Sequence, residues 1–272
     1  MNGVAQQLAD WILEGRAPEL VRALAADPGL IREQVRIPGT APCSVIQACI
    51  NYQRVEILRA AVRLGFDINS AAFRHDSTAV SMLIYAIITS KPNVVRFAIA
   101  NGAKLDQVSK RGRTPLAESL QIMATIPGEL DEQILDILLA AKAPWGVAND
   151  PEGSPFNDII RATWIGRADE MAALMHKIAR AGFPLLTPSA SGEGLSPNSP
   201  VEVAIHSGNR RALSVVAQIA HARFESDEGR AIIERLHITE RESWVPEITG
   251  VMMTISDDPN DPLAQEVLRQ KK

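Results

Sequence analysis

Five histidines, two cysteines and one dense acidic run are the side chains here best equipped for metal binding or proton transfer. His75, His176, His206, His221 and His237 are scattered, and none stands in the HExxH spacing that sets two imidazoles on one helix face beside a carboxylate. Cys43 and Cys49 lie in an apolar, helix-like run, where a free thiol behaves as a small buried hydrophobe, so neither a disulfide nor metal ligation is expected. Asp257, Asp258 and Asp261 lack the glycine and alternating ligands of a calcium loop and read as a solvated turn. SASGEGLS, around Gly192, holds neither a nucleophile elbow nor a phosphate loop ending in Gly-Lys-Ser/Thr. Glu118 and Glu202 fall on helical stretches with no nucleophile beside them. The residues therefore predict no catalytic centre, no metal and no cofactor, and the chain reads as non-enzymatic.

Composition narrows the partners. With 28 basic and 32 acidic residues the net charge is -4, which gives no electrostatic reason to expect nucleic acid or an anionic membrane. Hydrophobic residues make up 46% but aromatic ones only 4%, so the core must be aliphatic and thin-layered. The start, MNGVAQQLADWILEGRAPEL, has no basic region followed by an apolar one, and no apolar run is long enough to span a bilayer. A cytoplasmic chain, monomeric by itself, is expected.

The elements come in a repeat. Segments beginning at Ser44, Ser81, Thr114, Ser154 and Ser199 align, with starts 33 to 45 residues apart. Each opens on a hydroxyl that can accept from a free backbone N–H, and three continue with proline at the first helical position. Ser199 and Glu202 make a capping box in SPVE. A second helix follows each first one, with apolar pairs at Ile57 and Leu58, Val94 and Val95, Ile134 and Leu135, Val215 and Val216. Gly65, Gly102 and Gly182 are placed to end three of these helices in the left-handed region.

GFDIN at 65–69, GAKLD at 102–106, GRTPL at 112–116 and the glycine turn of SGNRRALSVV at 207–216 resemble the ankyrin repeat. The resemblance covers roughly residues 40 to 222, with a degenerate copy at 4–30. It implies an all-α solenoid of stacked helix-turn-helix units with short β-turn fingers: a degenerate repeat or cap at 1–38, five divergent repeats at 39–222, and a helical cap and tail at 223–272, where Ser226 is placed to cap a helix. No copy keeps the family's histidine in its TPLH equivalent, where the residues are Gln47, Ile84, Ala117, Asn157 and Glu202. That histidine ties turns together, so this array should be less regular. MATIPGELD is extra sequence between the helices of the third copy, and WIGRADEMAALMHKIARAG lengthens the fourth.

The resemblance also implies a protein partner, met by finger loops and by the concave ends of the first helices. It puts Phe73, Arg74, His75 and Asp76 on one finger, Lys110, Arg111 and Arg113 on the next, and Trp145, Asp150 and Glu152 on a third. The concave positions are Asn51 and Tyr52, Ile88 and Thr89, Gln121 and Ile122, Arg161 and Ala162, His206 and Ser207. Tyr52 and Trp145 are the candidate aromatic anchors. The expected role is a binding module, a bacterial inhibitor, immunity or regulatory protein. The alternatives are a secreted host-directed effector, or a targeting arm for an activity in 223–272, a segment small for an independent core.

Overall fold

Three of the repeat starts behave as their hydroxyls dictate. In the computed structural model Ser44 Oγ accepts from the Gln47 amide at 3.3 Å, Ser81 Oγ from Ile84 at 3.4 Å, and Thr114 Oγ1 from Ala117 at 3.3 Å. Each bond satisfies one of the amides that a helix N-terminus leaves without an intrahelical acceptor. The structure describes residues 3–75, 78–109, 111–125, 128–145, 168–183 and 210–222, with 226–227, 229–234 and the single positions 159, 199, 201, 203 and 204. Ser154 and Glu202, and with Glu202 the capping box, lie outside them.

The chain divides into two units, residues 1–122 with 127–146, and residues 123–126 with 147–272. The first begins with α1 (Gly3–Glu14), α2 (Ala17–Ala26) and a 3-10 turn over Pro28–Arg32. A short antiparallel pair follows, β1 (Gln34–Val35) and β2 (Cys43–Ser44), then α3 (Val45–Asn51) and α4 (Val55–Arg63). A second antiparallel pair, β3 (Phe73–His75) and β4 (Thr78–Val80), matches Phe73 with Val80 and leads to α5 (Met82–Ile88) and α6 (Pro92–Ala100). Last come α7 (Pro115–Thr125) and α8 (Glu129–Ala140). The first helices α1, α3 and α5 pack on α2, α4 and α6, and the second helices α2, α4, α6 and α8 pack in sequence. All four apolar pairs of the sequence are buried, six of those residues in these second helices. Each such side chain contributes about 1.5–3 kcal/mol on burial.

Helix endings repeat as faithfully as helix starts. At α4, Gly65 takes φ +93° while its amide reaches Val62 O at 3.0 Å and the Phe66 amide reaches Ala61 O at 3.0 Å, a Schellman ending. Gly102 ends α6 in the same way at φ +85°. Gln53 (φ +52°), Ser90 (φ +55°) and Lys142 (φ +53°) end α3, α5 and α8 with the same pair of bonds, although they carry side chains. The ending is thus set by the packing geometry of the repeat, and a non-glycine residue tolerates it at about 1–2 kcal/mol.

The extra sequence in the third copy is not a simple loop. Met123, Ala124 and Thr125 extend α7 to 11 residues and Glu129–Asp131 open α8 at 12, against 7 and 9 in each of the two preceding copies. Cys43 lies in β2, not in a helix, because the run that contains it first pairs with Val35.

In the second unit the Ala168–Arg180 helix packs on the Arg210–Ala222 helix, and Met171, Met175, Ile178, Leu213 and Val216 of the two are buried. Gly182 ends the former at φ +92°. Ser226 caps a further turn, its Oγ accepting from the Gly229 amide at 3.0 Å.

Candidate docking face

The first helices of the first unit present a matching row. Asn51 and Tyr52, Ile88 and Thr89, Gln121 and Ile122, at equivalent positions of three successive copies, are all half-buried. Each pair lies one helical turn or more beyond a hydroxyl cap, at the end of α3 and of α5 and inside the longer α7, and the remaining side chains of these helices are mostly interior. The row is uncharged and mixes amides, a phenol, a hydroxyl and two isoleucines.

Hydrogen bonds hold the row from copy to copy. Gln47 Nε2 donates to the Tyr85 hydroxyl at 3.0 Å, and that hydroxyl donates to Asn51 Oδ1 at 3.0 Å. Gln47 and Asn51 are one turn apart on α3, so a single phenol on α5 bridges both. The Tyr85 ring stacks on Phe73 with centroids 5.6 Å apart, and Phe73 meets Phe66 edge-on at 6.0 Å. Ser90 Oγ donates to Asp131 Oδ1 at 2.5 Å, while Asp131 Oδ2 accepts from the Gly128 amide at 3.0 Å. Asn69 joins two turns: its Nδ2 donates to Gly102 O at 3.2 Å and its Oδ1 accepts from the Lys104 amide at 2.8 Å.

The fingers differ from expectation in two residues. Phe73, expected on a finger surface, is fully buried at the root of β3, because its ring fills the space between Phe66 and Tyr85. Arg113, expected on the next finger, is only 1% exposed. Its carbonyl accepts from the Ser109 amide at 2.8 Å and the Gly112 amide bonds Ser109 O at 2.9 Å, which folds 109–113 into a tight turn that carries Arg113 inward. Arg111 in that turn is exposed, and Ser109 Oγ donates to the buried Glu118 at 2.7 Å. Arg74 and His75 are on β3, paired with Ala79 and Thr78. Tyr52 and Gln121 are half-buried in the row, and half-buried Trp145 accepts from Thr114 Oγ1 through its carbonyl at 3.4 Å. Asp76, Lys110, Asp150, Arg161 and His206 lie outside the described residues, as do Glu152, Gly192 and Asp257, Asp258 and Asp261.

One finger went unread in the sequence. The β1–β2 pair carries a turn in which Thr40 N bonds Ile37 O at 3.0 Å with Gly39 at φ +79°. The Pro38-Gly39 dipeptide is the signal for it, since proline presets the first corner and glycine accepts the positive φ of the second.

The thiols are chemically quiet. Cys49 is fully buried and burial pushes its pKa far up, as it does less strongly for Cys43. Among the described residues no group of three or more His, Cys, Asp or Glu could hold a metal, and no helix is long and apolar enough to cross a membrane.

No family model and no curated protein matches the sequence. Solved structures do match. The chain is similar to EF0377, an ankyrin-repeat protein, with a TM-score of 0.55 and 14% identity over 78% of this chain and 96% of that one. It is also similar to an ankyrin-repeat domain from Acinetobacter baumannii AYE, with a TM-score of 0.51 and 15% identity over 77% and 95%. The ankyrin-repeat domain of Bcl-3, a member of the IkappaB protein family, gives a TM-score of 0.50 and 16% identity over 77% and 96%.

Proposed function

We propose that this chain, which has the ankyrin-repeat fold, is a non-enzymatic protein-binding module that acts by occupying a partner's surface through its first-helix ends and fingers. The observation that carries the reading is the row of half-buried positions at 51–52, 88–89 and 121–122. Tyr85, Ser90 and Asn69 hold the framework around that row with bonds between copies. Side chains on a framework already ordered lose little freedom on binding, so more of each contact becomes affinity. Tyr52 and Gln121 are the central contacts, with Arg74, His75 and Arg111 on the fingers. Trp145 is a further candidate contact of the first unit, and Asp76, Lys110, Asp150, Arg161 and His206 stay candidates on the repeat resemblance alone.

Within this reading the chain is a bacterial cytoplasmic inhibitor or regulatory protein, monomeric until it meets its target, because its residues show no added chemistry to deliver. Quantitative affinity capture from the producing cell, with wild-type chain and a Tyr52→Ala/Gln121→Ala double variant, tests it. A protein enriched on the wild type and reduced at least about tenfold on the variant is expected, since a central aromatic contact is worth about 2 kcal/mol or more. Equal recovery on both would sink the docking face.

A further inference from the structure

We infer that Glu118 is a positioning residue for partner binding: from inside the repeat it holds the finger at 109–113 that presents Arg111, an inference that rests on the docking reading above. Glu118 stands on the first turn of α7 and is only 7% exposed. A carboxylate so placed is costly unless its oxygens are hydrogen-bonded. Ser109 Oγ, nine residues back on the finger, donates to Glu118 Oε1 at 2.7 Å, a length typical of a hydroxyl bonded to a carboxylate. Ser109 is also the hub of its turn. Its amide donates to Arg113 O at 2.8 Å and its carbonyl accepts from the Gly112 amide at 2.9 Å, with Gly112 at φ +75°. Glu118 therefore fastens the hub of the turn to α7, and Arg111 is exposed within that turn.

The preceding copies place different side chains at this position. Four residues after the Ser44, Ser81 and Thr114 caps come Ala48, Tyr85 and Glu118, all buried. Tyr85 too reaches its own finger, stacking on Phe73 of β3 with centroids 5.6 Å apart. Ala48 carries no more than a methyl group, and its finger is held by the β1–β2 pair instead. Among the described residues no strand pair covers 105–114, so the third finger has no ladder there and the Ser109 bonds close it. The position thus serves each finger separately, by an aromatic stack in one copy and a carboxylate clasp in the next. Loss of the acceptor at 118 frees the Ser109 hydroxyl. The finger must then be ordered when the partner arrives, which lowers affinity without removing a contact.

The test uses the full chain with trypsin as the probe. Cleavage after Arg111 reports opening of the turn, and cleavage after Arg96, exposed on α6, reports opening of the helices. Glu118→Leu should speed cleavage after Arg111 at least about tenfold and leave Arg96 within about twofold of wild type. Glu118→Gln, which keeps an oxygen acceptor, should stay within about threefold at both. Ser109→Ala removes the same bond from its half-buried end and should match Glu118→Leu, so the result holds whether or not a leucine is accepted inside. An unchanged rate after Arg111, or a rise shared equally by Arg96, overturns the inference. In affinity capture, Glu118→Leu and Arg111→Ala should each lower partner recovery at least about threefold, and the two together no further than Arg111→Ala alone. Recovery on Glu118→Leu equal to wild type also overturns it. The docking row fails separately, because Tyr52→Ala/Gln121→Ala leaves the Ser109–Glu118 bond intact. Wild-type recovery on that variant, with loss on Glu118→Leu and Arg111→Ala, removes the row and leaves the finger.

Discussion

Gln47 and Tyr85 are 38 residues apart in sequence and 3.0 Å apart between Nε2 and the phenol oxygen. The same hydroxyl donates to Asn51 Oδ1 at 3.0 Å, so one phenol on α5 holds two side chains of α3. Tyr85→Phe removes both bonds and leaves Gln47 and Asn51 half-buried, where water can reach them. The expected loss is about 1 kcal/mol by denaturant titration. A double-mutant cycle with Asn51→Ala should show coupling above about 0.5 kcal/mol, and additivity would mean the bridge contributes nothing.

Left-handed helix endings should respond in opposite directions to exchange. Gln53→Gly and Lys142→Gly relieve positive φ and should each stabilise by about 0.5–1 kcal/mol after the entropy cost of glycine. Gly65→Ala and Gly102→Ala should each cost about 1–2 kcal/mol, although nothing lies within 4 Å of the added Cβ, because the penalty is in the backbone. Thermal midpoints of the four variants decide this. A destabilised Lys142→Gly would contradict it.

Arg54 holds the N-terminal degenerate copy to the copy that begins at Ser44. Its Nε donates to Ile12 O at 2.8 Å and Nη2 to Leu13 O at 2.7 Å, placing a cation on the C-terminal carbonyls of α1. Arg54→Leu should cost about 2 kcal/mol, and hydrogen exchange should accelerate first in α1 and α2. Uniform acceleration across α1 to α8 would show that the end copy has no separate stability. Arg54→Lys should recover only part of the loss, since an ammonium cannot span both carbonyls in one plane.

Cysteine chemistry should report folding. Burial raises the Cys49 pKa, so the folded chain keeps that thiol protonated where the unfolded chain ionises it. The stability this represents is intact below the unfolded thiol pKa of about 8.5 and is lost as pH climbs from there toward the folded value. Denaturation between neutral pH and about pH 10 should show that decline, and Cys49→Ala should flatten it. Iodoacetamide should modify Cys49 only after denaturant is added. Rapid native labelling would refute its burial.

Much of the fold is legible in local chemistry. The hydroxyl starts at Ser44, Ser81 and Thr114 act as caps, and the apolar pairs from Ile57 to Val216 are buried, because capping and helical spacing involve residues within a few positions. Gly65, Gly102 and Gly182 take the positive φ their positions required. The docking row was legible only in part, since equivalence between copies located Tyr52, Thr89 and Gln121 but said nothing of what surrounds them.

The sequence by itself determined where α3, α5 and α7 begin and where α4 and α6 end, since these follow from caps and backbone preference. Only the tertiary structure decided that Phe73 and Arg113 turn inward, that Gln53 and Ser90 accept a glycine's conformation, and that Tyr85 bridges Gln47 and Asn51. Each of those outcomes depends on contacts between residues that sequence distance keeps apart: Phe73 on Tyr85, Ser90 on Asp131, Gln47 on Tyr85. Local preference cannot price a contact whose partner arrives from the next copy, and packing between copies is the stronger term.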